Sequence, residues 1–235
     1  MLTSLHQSPN KLTPHERDRM FALMQANYDM VNRSRFDNDL SNKDGVILLH
    51  DKHGIIQGFS TLAWHRALLD GADVVFSGDT IIDREYWGSR ELINKFCQLC
   101  GCWTTTHNKP LYWFLISKGH RTYQFLPLFS KQWHPMPNQH NTALAEAANQ
   151  CAQQLFPTAW SAQTGVLHFT SSQGQMKPSL AAATEQRKHN TYVDFFRKRN
   201  PGYTEGDELV CLVKMHESNL RGTALRAFRK GINDA

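Results

Sequence analysis

FSGDTIIDREYWGSREL, residues 76–92, is the stretch that says most about the architecture of this chain. The run that ends at Ile82 has the composition of a β-strand, and the glycine-containing loop after it leads to Ser89, which can cap a helix. In such a strand–loop–helix unit, the first N–H groups of the helix point outward with the positive end of the helix dipole behind them. This arrangement binds phosphate, and Arg90 can add a charge-assisted contact.

Helices and strands are predicted on both sides of this unit. Thr13 can cap a helix, Pro14 suits its first position and Glu16 can complete a capping box. The predicted order over residues 13–135 is that helix, strands at 46–50, 55–62 and 73–82, a helix from 89, a strand at 111–116 and a short helix at 123–133. Near-continuous apolar residues at the start of the third strand predict burial on both of its faces.

The two ends of the chain give weaker patterns. Residues 1–12 are predicted to be a flexible polar arm. Further along, helices are expected at 142–155, at 184–198 and, with a basic face, at 219–230, and a last strand at 208–213. Residues 157–179 are expected to be irregular or to form a short strand pair.

Length and composition fit one globular domain. The chain has 235 residues, of which 40% are apolar and 20% charged, as in ordinary globular proteins. No stretch approaches the ~20 apolar residues that a spanning helix needs, and the first residues lack a signal-peptide pattern. Five cysteines, three of them clustered from Cys97 to Cys102, favour a reducing compartment. We therefore expect a cytoplasmic protein with free thiols and no membrane span.

The order helix, hairpin, long strand, loop-helix, strand and helix resembles the core of the GNAT superfamily of acyltransferases, and Gly88 stands where that family has its pyrophosphate-binding loop. The resemblance covers about half the chain. It implies a GNAT-like α/β (α+β) fold, in which a mixed, mostly antiparallel central sheet is flanked by helices and followed by a helical C-terminal extension. Residues 13–235 would form one acyltransferase domain, with 13–135 as its core and 136–235 completing the sheet and the acceptor side.

In that family, the fourth strand and the next one diverge, and the pantetheine arm of acyl-CoA lies between them. The resemblance places two residues beside the pantetheine and four near the phosphates: Ile81 and Ile82, then Trp87, Gly88, Ser89 and Arg90. Only Gly88 matches the family pattern Arg/Gln-x-x-Gly-x-Gly/Ala. The implied donor is therefore acyl-CoA or the phosphopantetheine of an acidic acyl-carrier protein, as in acyl-homoserine-lactone synthases, to which the chain is also similar. The acceptor would be a small molecule.

Direct acyl transfer needs a base for the acceptor and an acid for the departing thiolate. Asp79 and Asp83 lie four residues apart on one predicted strand face, and Asp79, a carboxylate in an apolar strand, is the stronger base candidate. The alternative for Asp79 is a structural aspartate that accepts backbone hydrogen bonds. After the next strand, Tyr123 is a candidate acid, and His120 and Arg121 can bind an acceptor carboxylate or assist proton transfer. Arg121 can equally pair with an aspartate.

The sequence allows two other interpretations. Cys97, Cys100, Cys102 and His107 have the residue types of a zinc site, but the first two fall on a predicted helix and no second ligand pair is present, so no metal is predicted. A net charge of 26 − 21 = +5 indicates an anionic partner. The rival function is therefore a module that binds nucleic acid or another anionic surface through a basic C-terminal third: Arg187, Lys188, Arg197, Lys198, Arg199, Arg221, Arg226, Arg229 and Lys230. Solvated helix faces explain most such runs, which leaves the acyltransferase as the preferred hypothesis.

Overall fold

A β-sheet lies at the centre of the fold in the computed structural model, which describes residues 2–139, 141–170, 175–177 and 190–235. The strands described are β1 (Thr3–Gln7), β2 (Tyr28–Asp29), β3 (Gly45–His50), β4 (Ile56–Leu69), β5 (Ala72–Ile82), β6 (Leu111–Ser117), β7 (Trp160–Ser161), β8 (Val166–Leu167), β9 (Gln175–Met176) and β10 (Glu208–Met215). In these ranges the large sheet has the order β1-β3-β4-β5-β6-β10-β8-β7, and β2 pairs with β9. Among these described strands, only β5 and β6 are parallel neighbours. The predicted mixed, mostly antiparallel sheet is confirmed.

Helices cover both faces of this sheet: α1 (Pro14–Asn27), α2 (Arg33–Ser41), α3 (Glu91–His107), α4 (His120–Phe129), α5 (Thr142–Leu155), α6 (Thr191–Arg199) and α7 (Gly222–Asn233). Successive side chains of a strand point to opposite faces. On β5, Val75 therefore packs in the core with α3, α4, α6 and α7, whereas Val74 and Phe76 pack in the core with α5. The predicted burial of this strand on both faces is confirmed. In the described part of the chain, no helix is both long and apolar enough to cross a membrane.

Helix α1 begins as its sequence predicts. The Glu16 N–H donates to Thr13 Oγ1 at 3.2 Å and the Thr13 N–H donates to Glu16 Oε2 at 2.8 Å, which completes a capping box. The helix ends at Asn27, so Tyr28 leaves it in an extended conformation. This end matters for the site, because Tyr28 lies over the sheet next to β9.

Several elements differ from the sequence-based expectation. The arm predicted over residues 1–12 contains the edge strand β1, which pairs with β3; four of its five residues are polar because much of an edge strand faces solvent. Helix α2 was missed because Phe36 and Leu40 are its only buried residues. Of the helix predicted at 184–198, residues 184–189 lie outside the described residues, as do Arg187 and Lys188; α6 begins at Thr191. The single-domain division remains a prediction.

Helices α3 and α7 approach closely at two glycines. A methyl group at Gly231 would overlap the carbonyl of Gln98, and one at Gly101 would overlap the carbonyl of Phe228. The two backbones therefore meet where no side chain fits, which fixes the terminal helix on α3 and holds α3 against the sheet. The cysteines follow the same packing: Cys97 and Cys100 are buried, and all five cysteines are free.

We predict that Gly231→Ala destabilises the protein. Alanine favours a helix by about 1 kcal/mol over glycine, but the added methyl group must push α7 away from α3, so we expect a net loss of ~1–3 kcal/mol in the free energy of unfolding. Urea unfolding measures this difference. Arg226→Ala, on the exposed side of α7, serves as the control, and a Gly231→Ala protein as stable as the wild type would contradict the prediction.

Candidate functional site

Strands β5 and β6 pair over only part of their length. Their parallel pairing begins at Asp73 with Leu111 and ends at Ser77 with Leu115. On its other side, β5 stays paired with β4 as far as Ile82. In the part of the chain that the structure describes, the edge of β5 after Ser77 thus has no partner strand, and we call this unpaired stretch between β5 and the end of β6 the opening.

A β-bulge lies at the start of this opening. Thr80 pairs with Ser60 and Ser77 pairs with Leu62, so three residue steps on β5 face two on β4. The extra residue falls at Gly78 and Asp79, opposite Thr61. A Cβ on Gly78 would lie 2.6 Å from Thr61 Oγ1, so this close approach of the two strands requires glycine.

The bulge and the register determine which backbone groups face the opening. The Asp83 N–H donates to the carbonyl of Gln57, a residue of β4, at 2.7 Å. In an antiparallel pair, residues that bond to the neighbour alternate with residues that face away. The N–H and C=O groups of Thr80 and Ile82 therefore point into the opening, where an extended amide chain can pair with them as an added strand would.

Asp79 lies on this edge in a desolvated, charged environment. Burial, helped by the charges of Asp39 and Glu208 and opposed by those of Lys118 and Lys43, raises the pKa of its carboxyl from the ordinary 3.8 to about 6. Because burial outweighs the two lysines, Asp79 can both accept and release a proton near neutral pH. These are the properties of a general base.

Lys118, Glu208 and Tyr28 lie around Asp79. Lys118 Nζ is 3.3 Å from Glu208 Oε1, and both side chains are largely buried. The same ammonium lies 5.3 Å from the centre of the Tyr28 ring. Burial raises the pKa of the Tyr28 hydroxyl, and the nearby charges of Asp79 and Glu208 raise it further. The sequence did not identify these three residues, because they come from β2, β10 and the residue after β6.

The loop after β5 is held by local hydrogen bonds. Asp83 Oδ1 accepts from the Glu85 N–H at 3.2 Å, which caps a short turn at Arg84–Tyr86. Ser89 Oγ accepts from the Glu91 N–H at 3.3 Å at the start of α3. Asp83 is therefore placed as a capping residue of the loop, whereas Asp79 lies on the open strand edge.

The predicted donor residues lie in the loop between β5 and α3. Trp87, Ser89 and Arg90 line a surface depression together with Leu2, Glu85, Tyr86, Glu91 and Asn94. Gly88 has a φ of +97°, and a Cβ at this position would meet no atom within 4 Å. Its requirement for glycine is thus conformational and not steric.

The two isoleucines face different layers. Ile81 is buried against α1 and α2, and Ile82 packs at the edge of the core that contains α3. The backbone of Ile82, more than either side chain, faces the opening.

The fold is GNAT-like. A bulged strand diverges from its parallel neighbour and leads through a loop into α3, as the resemblance implied. No protein-family model matches the chain, and no curated protein matches it.

Solved structures of similar shape include three bacterial proteins. A probable N-acyltransferase from Enterococcus faecalis is 12% identical over 56% of this chain and 33% of its own, with a TM-score of 0.41. A GNAT-family acetyltransferase from Streptococcus pneumoniae is 22% identical over 38% of this chain and 58% of its own, with a TM-score of 0.28. A GNAT-family N-acetyltransferase from Escherichia coli, solved with CoA, is 14% identical over 53% of this chain and 68% of its own, with a TM-score of 0.37. The chain thus covers less than two thirds of the first two proteins.

The α4 candidates have three different environments. His120 is buried at the first position of the helix. Arg121 stacks on Trp87, with its guanidinium carbon 4.1 Å from the ring centre. Tyr123 is fully buried; its hydroxyl donates to the Pro135 carbonyl at 2.7 Å, and burial raises its pKa. This geometry favours a structural role for Tyr123, as an anchor of α4.

We predict that the Asp79 carboxyl makes stability fall as pH rises from about 4 to about 6. The folded protein holds this proton more tightly than the unfolded chain, so it binds more protons in that window and the free energy of unfolding decreases with pH. Urea unfolding of wild type and Asp79→Asn at pH 4.5, 5.5 and 6.5 tests this. As the pH rises across the series, the free energy of unfolding of the wild type should fall relative to that of Asp79→Asn. The control Asp70→Asn, in an exposed turn, should show no such trend relative to the wild type. A constant difference for Asp79→Asn would contradict the prediction.

Proposed function

We propose that this chain is an acyltransferase that moves an acyl group from a pantetheine thioester to an amine or hydroxyl of a small-molecule acceptor. The observation that carries the proposal is the open edge of β5, which holds unpaired backbone amide groups and Asp79 and from which the chain runs through a short loop into α3. Each part of a thioester donor has a chemical counterpart along that line.

The donor arm would lie against the open strand edge. A pantetheine arm is extended and carries two amide groups, which suit the unpaired N–H and C=O groups of Thr80 and Ile82. Its phosphates would then reach the first turn of α3, where outward-facing N–H groups and Arg90 favour negative charge. We propose acyl-CoA as the donor and keep the acyl-carrier protein as an alternative, since both present the same arm.

Asp79 would act as the general base. In the proposed step, the acceptor nitrogen or oxygen attacks the thioester carbonyl carbon, its proton passes to the Asp79 carboxylate, and the carbon–sulfur bond breaks to release the thiolate. A pKa of about 6 leaves the carboxylate mostly ionised at pH 7 yet basic enough to accept a proton. His120, at the start of α4, is kept as the candidate that returns a proton to the thiolate.

The acceptor would enter from the side of Tyr28, Lys118 and Glu208. This side of the opening is lined by an ion pair and an aromatic ring, both largely shielded from water, so it can hold a polar molecule in one orientation. Placing the nucleophile and the thioester side by side accounts for much of the rate enhancement in such reactions. A cytoplasmic location remains a prediction.

The rival hypothesis of a nucleic-acid or anionic-surface binding module is not favoured. In the described part of the chain, Arg229 pairs with Glu217 at 2.6 Å and Arg199 donates to the Thr164 carbonyl at 3.2 Å. At least two of the basic residues thus have partners within the fold, as expected for solvated helix faces.

We predict that a thioester donor binds this protein and that Asp79 is needed to use it. A panel of acetyl-CoA, a long-chain acyl-CoA and acyl-carrier protein should contain at least one donor that raises the melting temperature and, with a panel of amines, releases free thiol. Asp79→Asn should slow thiol release by ~10²–10⁴-fold, the usual contribution of a general base, with donor affinity unchanged.

Asp70→Asn provides the control, since it removes one carboxylate from an exposed turn. The acyltransferase proposal is wrong if no donor stabilises the protein or releases thiol. Asp79 is excluded as the base if its asparagine variant keeps the wild-type rate.

We further predict that Gly88→Ala weakens donor binding. Gly88 and Gly54 both have positive φ angles, +97° and +76°, and open space around them, so alanine introduces backbone strain at either position. Only Gly88 precedes the helix start that would meet the phosphates. Calorimetric titration with CoA should therefore show a several-fold loss of affinity for Gly88→Ala and none for Gly54→Ala; equal losses would remove the loop from the donor site.

A further inference from the structure

The loop after β5 folds one aromatic side chain back over the open strand edge. Trp87 Nε1 donates a hydrogen bond to the Ile82 carbonyl at 2.9 Å, although 40% of the side chain is exposed. This carbonyl is one of the groups that point into the opening. The indole therefore lies where an extended amide chain would approach the edge.

Two arginines lie close to the same ring. The guanidinium carbon of Arg121 lies 4.1 Å from the centre of the Trp87 ring, and that of Arg84 lies 5.7 Å from it. Arg121 belongs to α4, which follows β6, whereas Trp87 follows β5. The Trp87–Arg121 contact thus joins the two sides of the opening, through the cation–π attraction that arginine makes with indole.

These contacts can be released at small cost. The ring is already 40% exposed, so moving it into water uncovers only the remaining part of its apolar surface. The next residue is Gly88, whose φ of +97° and open surroundings allow the backbone to rotate without a clash. Trp87 is therefore a side chain that can leave, next to a residue that can act as a hinge.

We propose that Trp87 is a gate residue of the donor site and that Arg84 and Arg121 are its phosphate-binding cations. In the closed arrangement, the indole N–H donates to the Ile82 carbonyl and the ring lies next to both guanidinium groups. A pantetheine donor displaces the indole, donates an amide N–H to the Ile82 carbonyl and brings its diphosphate to the two arginines. This inference rests on the proposed function and adds the residues that control donor entry.

The gate lowers donor affinity because the open state is only part of the population. Trp87→Phe removes the N–H that holds the gate closed and keeps a ring, so calorimetric titration with CoA should show binding about fivefold tighter than wild type, the factor that corresponds to one net hydrogen bond. Trp160→Phe is the matched control. It also deletes an indole hydrogen bond, from Nε1 to Asn149 Oδ1 at 2.8 Å, but on β7.

Movement of the ring can be observed directly by fluorine NMR of protein labelled with 5-fluorotryptophan. The Trp87 signal is the one that Trp87→Phe lacks, and it should shift when CoA is added, while the Trp160 signal stays in place. In the Trp87→Phe background, Arg121→Gln should weaken CoA binding about tenfold, the effect of losing one charge-assisted contact.

The outcomes separate this inference from the proposed function. Tighter CoA binding by Trp87→Phe together with a shift of the Trp87 signal supports the gate. If wild type binds CoA but the Trp87 signal is unchanged, or if Trp87→Phe binds CoA equally or more weakly, the gate is wrong and the donor site stands. If neither CoA nor any other thioester donor binds the wild type, the proposed function fails and the gate fails with it.

Discussion

Among the described residues, β5 beyond Ser77 has a neighbouring strand on one edge only, and the rest of the candidate site depends on that constraint. Strand β6 continues to Ser117, paired with Leu209 of β10 on its other edge, but it no longer pairs with β5 beyond Leu115. Strand β4 meanwhile holds β5 in place as far as Ile82. Unpaired backbone groups are costly where water cannot reach them, so such an edge is expected to bind something that supplies hydrogen bonds. In the closed arrangement, one carbonyl of the edge is satisfied by Trp87.

The chemistry of Asp79 follows from how the nearby charges are shared. Lys43 pairs with Asp39 and Lys118 pairs with Glu208, so neither lysine is committed to Asp79 alone. Burial therefore dominates and raises the pKa of Asp79. A fold that gave Asp79 a lysine of its own would lower that pKa and make the carboxylate a poor base. The two ion pairs thus leave burial as the main determinant of the basicity of Asp79.

Local patterns could be predicted from the sequence, whereas contacts between distant segments could not. The capping box at Thr13 and the helix at Thr142–Leu155 follow from residue spacing within a few turns, and both are present. The only sign of the bulge in the sequence is the glycine at position 78. Lys118 and Glu208 gave none, since one follows β6 and the other begins β10, and only the sheet order brings them together. Tyr123 shows the reverse limit: its residue type suits an acid, but its hydroxyl donates to Pro135 inside the core.

Helix α4 connects the two halves of the site. Tyr123 anchors this helix, since its ring lies 5.8 Å from that of Phe195 and 6.0 Å from that of Phe196, both on α6. The anchor sets the position of Arg121, two residues earlier, and hence the contact with Trp87. Because Tyr123 fixes α4 in the core, this helix cannot move when the donor binds. In the proposed gate, the movement must therefore occur in the loop that carries Trp87 and Gly88. The rigid part of the site is therefore the α4 side, and the movable part is the loop after β5.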